Sequence, residues 1–201
     1  MIDNYEALTL GDYMRVDAVL AKDAEEIDKQ VEIVAILSGM TTDEVLSLPL
    51  ADYSRMAAQT AFLAKYCKPA EIDKDWRLGD LVPTMDFTKI TTAQYIDFQA
   101  FSKRFPASLP QLLSAFLLPE GKTYNEGYDV AEVVGRVNAL PLPVALGLSA
   151  FFLKRFATSI EDSLTSLDSV KVKDPGKAET IRRMTEEVAG LLATAGAGYT
   201  R

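Results

Sequence analysis

Apolar residues recur at helical spacing through most of the chain, which predicts a mainly α-helical protein. A first stripe lies within residues 11–22 and a second begins after the acidic stretch 23–28. The first stripe consists of Tyr13 or Met14, Val16, Val19 and Leu20, and the second of Ile27, Val31, Val34 and Leu37. Two amphipathic helices are therefore expected here.

Local signals divide the next part of the first helical unit. Ser38-Gly39 predicts the end of the second helix, because glycine readily adopts the left-handed conformation found there. Thr41 and Glu44 have the spacing of a capping box and predict a short helix through Leu46. Pro49 then interrupts the helical pattern, and a longer, largely buried helix is expected over 51–68.

The helical rhythm breaks over residues 69–90. Pro69, Gly79 and Pro83 punctuate this stretch, and polar and apolar residues alternate over 84–88. Such alternation is typical of a half-buried strand. A small β-hairpin connector is therefore predicted.

A second helical pattern begins near Thr91 and resembles the first at an offset of about 82 residues. The stretch 90–96 corresponds to 8–14, and 111–118 corresponds to 30–37. A polar loop over 119–130 then interrupts the second pattern. The near-constant offset favours an internal duplication, although two ordinary helical patterns could also coincide.

Two further helices are expected in the remaining chain. The apolar run 144–153 is too short to span a bilayer and follows two prolines, so it predicts a core helix. Residues 175–195 show a narrow apolar stripe with spacing of three and four residues, which is typical of a helix that pairs with another helix. That stripe consists of Ile181, Met184, Val188 and Leu191.

These patterns predict a mainly α fold with two related helical lobes, a small β-hairpin connector and a C-terminal helix. The boundaries follow from the helical stripes and the breaks between them. The expected domains are a first helical unit at 1–68, a connector at 69–90, a second helical unit at 91–169 and a C-terminal arm at 170–201.

Negative charge is concentrated in the first part of the chain. Residues 1–75 carry 15 acidic and 7 basic side chains, whereas residues 76–201 carry 14 of each. An acidic surface repels nucleic acid phosphates, so direct nucleic acid binding is not expected. Glu25, Glu26 and Asp28 are candidate contacts for a basic protein partner, although a solvated acidic surface has the same composition.

The composition argues against most catalytic mechanisms. The chain has no histidine and one cysteine, Cys67, so histidine general-base catalysis and multi-cysteine zinc sites are excluded. Phosphate-binding glycine motifs are absent, and neighbouring acidic residues on a helix do not converge on one atom. We therefore predict a non-enzymatic protein with no cofactor, no metal site and no catalytic residue.

One segment resembles a known class of proteins. Residues 33–53 read IVAILSGMTTDEVLSLPLADY. This order of an apolar helix, a Ser-Gly-Met-Thr turn, acidic residues and a Leu-Pro spacer resembles tail assembly chaperones and small virion proteins of tailed bacteriophages. The resemblance covers about residues 31–53 and implies a phage protein that binds other phage proteins.

Two functions follow as expectations. The first is a phage assembly or virion protein, acting in tail or head-tail assembly through its acidic helices and its C-terminal stripe, with a homo-oligomer expected. The second is an acidic regulatory module that sequesters a basic or nucleic-acid-binding partner. Since the N-terminus lacks a signal peptide pattern and no apolar run could span a membrane, we expect the host cytoplasm during assembly, or the virion.

Overall fold

The computed structural model describes residues 1–84, 86 and 89–169, with the backbone alone described over 156–169. The described chain is mainly helical and contains one small antiparallel pair of strands, which confirms the predicted fold class. Two compact units are distinguished by their internal contacts. Unit 1 comprises Met1–Ala70 and Ala131–Leu146, and unit 2 comprises Glu71–Val130 and Gly147–Arg201.

The first part of unit 1 is a series of short helices. Their bounds are α1 Leu10–Leu20, α2 Glu26–Ser38, α3 Thr42–Leu46 and α4 Leu50–Gln59, followed by a 3-10 helix at Thr60–Ala64. Helix α4 ends sooner than the predicted 51–68 helix, and none of its side chains is fully buried. The expectation of a largely buried long helix was therefore wrong, because only one side of α4 meets the core.

The ends of these helices follow the predicted local signals. The Thr9 hydroxyl accepts a hydrogen bond from the Asp12 backbone N–H and begins α1. Gly39 ends α2 with φ of 72°, in the left-handed region that an L side chain disfavours. Thr41 and Glu44 form the capping box, with the Thr41 N–H donating to the Glu44 carboxylate at 2.7 Å. The predictions at Gly39 and at Thr41 with Glu44 are confirmed.

Aliphatic side chains form the core of unit 1. Val31, Val34, Ala35 and Val45 are buried together, with half-buried Tyr53 packed against them. Helix α2 thus faces both α3 and α4.

A backbone pairing connects the start of α1 to the second part of unit 1. That part includes α7, Val130–Asn138, which the sequence analysis did not predict, and the start of α8, Leu142–Ser169. The Leu10 N–H donates to the Leu140 carbonyl at 2.8 Å, and the Leu142 N–H donates to the Leu8 carbonyl at 2.7 Å. A Cβ atom at Gly11 would lie 3.3 Å from the Asn138 carbonyl oxygen, so a small residue fits best there.

Unit 2 combines helices with the small sheet. Its elements are β1 Leu81–Pro83, α5 Thr92–Ser102, α6 Leu109–Phe116, β2 Leu117–Pro119 and the larger part of α8. Strand β1 lies in the predicted connector and pairs with β2, which lies outside that connector, while a single bridge joins Leu81 to Leu78 within it. The register aligns Leu81 with Pro119.

Aromatic side chains fill the core of unit 2. The rings of Phe98 and Phe116 lie 5.5 Å apart, and those of Phe116 and Phe152 lie 5.3 Å apart. All three side chains are fully buried. Phe152 belongs to the predicted core helix at 144–153, and the burial of its neighbour Leu148 agrees with that prediction.

The internal duplication is not confirmed. Helices α1 and α5 begin at corresponding positions, and each packs against the helix that follows it. After α2, however, the chain turns through Gly39 into α3, whereas after α6 it continues directly into strand β2. The correspondence is limited to the two helix starts.

Candidate protein-interaction surface

A continuous exposed segment joins α1 to α2. Every residue from 20 to 28 is exposed, and we call this segment the acidic corner. It contains four carboxylates, including the predicted interaction residues Glu25, Glu26 and Asp28. The structure brings these three residues together at the start of α2.

The position of these carboxylates also suits the helix itself. Glu25 occupies the N-cap position of α2, although its side chain accepts no capping hydrogen bond, and Glu26 and Asp28 lie in the first turn. Negative charge is favourable there, because the helix dipole places partial positive charge at the N-terminus. These residues therefore stabilise α2 whether or not they also contact a partner.

Ion pairs neutralise the two lysines near the corner. Lys29 lies 3.1 Å from the Glu26 carboxylate, and Lys22 pairs with Glu32. Within the described part of the chain, Asp23, Glu25 and Asp28 take part in no ion pair. The one lysine of the corner, Lys22, thus pairs with a carboxylate outside it, and three of the four corner carboxylates have no paired cation within the described residues.

Two large aliphatic side chains are exposed among these charges. Leu20 is 53% exposed and Ile27 is 57% exposed, although both belong to stripes that were predicted to face the core. That prediction was wrong for a geometric reason. Val19 is the last buried residue of α1 and Val31 is the first buried residue of α2, so Leu20 and Ile27 lie beyond the packed part of each helix.

A small cavity lies further along α2. Its volume is about 240 Å³, and we call it the α2 groove. Its lining consists of Arg15, Glu32, Ala35, Ile36, Gly39, Met40 and Thr42. Helix α1, helix α2, the turn at Gly39 and the start of α3 all contribute residues to this cavity.

Two leucines near the groove residue Thr42 in sequence are exposed, one at the end of α3 and one at the start of α4. Leu46 is 68% exposed and Leu50 is 77% exposed. Leu46 lies four residues after Thr42, on the same side of α3 as the groove. Leu50 is the first residue of α4, and neither leucine belongs to the lining of the cavity.

Two titratable groups of unit 1 with raised pKa values, the Cys67 thiol and the Tyr5 phenol, do not line the α2 groove. Burial raises the pKa of the Cys67 thiol to about 11 and the pKa of the Tyr5 phenol to about 12. The Tyr5 hydroxyl donates to the carbonyls of Leu63 and Lys65, at 3.0 and 2.9 Å. Both groups therefore stay protonated at neutral pH, and Cys67 is poorly suited to act as a nucleophile.

The remaining predicted contacts lie outside the described residues, namely Ile181, Met184, Val188 and Leu191. Among the residues that the structure describes, no group of three or more acidic, cysteine or histidine side chains is arranged to hold a metal ion. No described helix is both long and apolar enough to cross a membrane.

Comparisons with known proteins found no relative. No protein-family model matches the chain, and no curated protein or solved structure is significantly similar to it. The interpretation of the surface therefore rests on its own geometry and charge.

Sequence reasoning found the carboxylates of this surface but missed its apolar residues. Leu20, Ile27 and Leu46 all continue helical patterns, so their composition and spacing are those of core residues. The one signal in the sequence that could have indicated exposure is the charge density around Leu20 and Ile27.

Proposed function

We propose that this protein is a non-enzymatic tailed-bacteriophage assembly or virion protein that binds other phage proteins, in tail or head-tail assembly. The observation that carries the proposal is the acidic corner, in which Leu20 and Ile27 are exposed among unpaired carboxylates. The link to phages comes from the resemblance of residues 31–53. Host cytoplasm is the expected location during assembly, and the virion is expected if the protein is a component of the particle.

Exposed aliphatic side chains within a charged rim are a common arrangement at protein interfaces. Burying an apolar side chain supplies affinity, while the surrounding charges steer the partner and exclude wrong partners. Asp23, Glu25 and Asp28 are available for such steering because no ion pair within the described residues occupies them. The complementary partner surface would combine a small apolar site with lysine or arginine residues.

A second candidate is an acidic regulatory module that sequesters a basic or nucleic-acid-binding partner. Residues 30–54 support it, because they carry four carboxylates and no lysine or arginine. Binding through charge alone, however, would not depend on Leu20 or Ile27. We therefore favour the assembly protein, whose interface uses both charge and apolar contact.

A homo-oligomer is part of the same proposal. The stripe of Ile181, Met184, Val188 and Leu191 supports pairing of residues 175–195 with a second copy, because an isolated helix of this length is marginal in water. Deletion of residues 170–201 should lower the oligomeric state in light scattering while the remaining chain stays folded. Unfolding of the truncated chain would instead assign this segment to the core.

Charge reversal tests the proposed interface. The variant Glu25→Lys, Glu26→Lys, Asp28→Lys should stay folded but lose about 1–3 kcal/mol of unfolding free energy, because three carboxylates that favour the N-terminus of α2 are replaced by cations. Its recovery of phage tape-measure, tube or portal protein from infected cells should fall about tenfold, measured by mass spectrometry of affinity-purified complexes. The loss should be larger at low salt, where charge steering is stronger.

A matched variant controls for net charge. Glu71→Lys, Glu126→Lys, Glu132→Lys changes the same number of exposed carboxylates outside the acidic corner, and recovery should remain at the wild-type level. Equal loss in both variants would contradict a specific interface. Recovery of only host proteins, together with absence from gradient-purified virions, would contradict the phage role.

Replacing the aliphatic residues separates the two candidates. Leu20→Asn with Ile27→Asn should weaken binding to the recovered partner about tenfold if the interface buries these side chains. A sequestering module that acts through charge would keep its affinity. Binding of the purified partner, measured by biolayer interferometry, distinguishes the outcomes.

A further inference from the structure

The α2 groove has the size of a single side-chain site. Its volume is about 240 Å³, whereas small-molecule pockets have about 300–1,000 Å³. Ala35, Ile36 and Met40 supply apolar lining. One leucine or similar side chain of a partner protein would fill such a cavity, whereas a cofactor would not fit.

The charges at the rim of the groove are already paired. Arg15 lies 2.5 Å from the Asp12 carboxylate, and Glu32 pairs with Lys22. A partner therefore gains little by presenting a charge directly at the mouth. An apolar side chain is the group that the groove receives at the lowest desolvation cost.

An available carboxylate lies on the same face of α2. Asp28, Glu32 and Ile36 are each four residues apart, so they follow one face of the helix. Asp28 and Ile36 are eight residues apart, which corresponds to about 12 Å along the axis. Asp28 is exposed, and no described cation pairs with it.

We propose that the α2 groove binds one apolar side chain of a helical segment in a partner protein, and that a lysine or arginine about two turns away on that segment binds Asp28. Charge complementarity selects this occupant, because Asp28 takes part in no described ion pair, while Arg15 and Lys22 beside the groove are already paired with carboxylates. A second copy of this acidic face would be repelled. The inference rests on the proposed function, since it names the chemistry of the partner.

A designed peptide tests the site directly. The probe is an alanine-based helical peptide with one leucine and one lysine eight residues apart, added to the isotope-labelled full-length protein. The amide signals of Gly39, Met40 and Thr42 should shift and saturate. Peptides with Leu→Ala or Lys→Glu should bind at least about fivefold more weakly.

Blocking the groove gives the decisive variant. Thr42→Trp places a bulky side chain at the mouth, and Thr42 is exposed and takes no part in the capping bonds between Thr41 and Glu44. We expect about tenfold weaker binding of the leucine peptide. Ser54→Trp adds the same side chain at an exposed position of α4 that does not line the groove, and it should bind normally.

The outcomes separate this inference from the proposed function. Unchanged binding in Thr42→Trp, or absence of saturable shifts around Gly39–Thr42, would overturn the groove as an anchor site. Peptide binding that depends on Asp28 but not on Thr42 would likewise overturn it and leave the acidic corner as the interface. Conversely, recovery of only host proteins by the wild-type protein in infected cells, together with its absence from purified virions, would reject the proposed function even if the peptide binds.

Discussion

The helical pairs α1–α2 and α5–α6 begin with the same kind of N-terminal cap but bury different kinds of side chain. Thr9 and Thr91 each accept a hydrogen bond at 3.1 Å from the backbone N–H three residues later, and each starts an 11-residue helix. The buried face of α1 is aliphatic, whereas α5 buries Gln94 together with Phe98 and Ser102. The same local signal can therefore start helices whose cores have different chemistry.

The two units also differ in how far their apolar groups are exposed. In unit 1 the aliphatic core leaves Leu20, Ile27 and the α2 groove exposed around the first helix pair. In unit 2 nearly every residue of α6 is buried, and the ring of Phe116 contacts those of Phe98 and Phe152 in edge-on and tilted arrangements in the interior. A candidate binding surface thus belongs to the first pair, and a rigid aromatic core to the second.

The largest expected effect is on the aromatic core. Phe116→Ala should lower the free energy of unfolding by about 3–5 kcal/mol, because the side chain is fully buried and contacts two other rings. Val34→Ala in unit 1 should cost roughly half as much, since it removes two methyl groups worth about 0.8 kcal/mol each and leaves a small cavity. Urea denaturation measures the unfolding free energy of both variants. Equal losses would contradict the expectation that the aromatic core of unit 2 contributes more than the aliphatic core of unit 1.

The buried polar residue of α5 gives the next effect. The Gln94 side chain donates to the Ala115 carbonyl at 2.6 Å and is only 2% exposed. Gln94→Met should cost about 1–3 kcal/mol, because it leaves that buried carbonyl without a donor. Asp12→Met at the corresponding position of α1 should cost less than about 1 kcal/mol, since the Arg15 partner is largely exposed. Thermal and urea unfolding measure the stability of the two variants. A larger loss in Asp12→Met than in Gln94→Met would contradict this prediction.

Alkaline pH should weaken unit 1 through its buried acids. Because burial raises the pKa of Cys67 from 9.0 to about 11 and that of Tyr5 from 10.0 to about 12, their stabilising contribution is complete below pH 9.0. It is lost as the pH rises toward 12. The double variant Tyr5→Phe, Cys67→Ala should flatten this decline in unfolding free energy.

The same double variant has a cost at neutral pH. Tyr5→Phe removes the hydrogen bonds to the Leu63 and Lys65 carbonyls and should cost about 0.5–1.5 kcal/mol. Tyr124→Phe in unit 2 serves as the comparison, since the Tyr124 hydroxyl donates to Asp97 at 2.7 Å and its pKa is also raised by burial. If the unfolding free energy of the double variant still declines at alkaline pH, groups other than Tyr5 and Cys67 cause the decline.

The smallest effect compares two capping boxes. Hydrogen bonds from the backbone N–H and hydroxyl of Thr41 lower the pKa of Glu44 below its ordinary value of 4.5, whereas Gln94 occupies the equivalent place beside Thr91 and does not titrate. The contribution of Glu44 is present above pH 4.5 and is lost as the pH falls through its lower folded pKa. Glu44→Gln should remove this small acid dependence, measured by urea midpoints, and so make the cap of α3 resemble that of α5.

The confirmed expectations depend on contacts between residues close in sequence. Gly39 and the pair of Thr41 and Glu44 act on residues close in sequence, so their effect on the helix ends can be predicted without knowing the fold. The acidic residues of the corner were identified for the same reason. Burial of the 144–153 helix followed from its continuous apolar composition.

Expectations that required distant partners fared differently. The pairing of β1 with β2 joins residues more than 30 positions apart, and the pairing of Leu8 and Leu10 with Leu140 and Leu142 spans the chain from its start to α8. In both cases the two pairing segments are far apart in the sequence, so local patterns do not show that they pair. The exposure of Ile27 likewise depends on where the packing against α2 begins, and not on its helical spacing.

The sequence by itself determined the helical class, several helix ends and the location of the excess negative charge, because each depends on composition or on neighbouring residues. Only the tertiary structure decided which apolar stripe residues face solvent, which segments complete the sheet and where the α2 groove forms. The physical reason is that a side chain is buried only if another element of the fold packs over it, whatever its own hydrophobicity. Leu20 and Val19 are neighbours with similar chemistry, yet only Val19 meets another element of the fold.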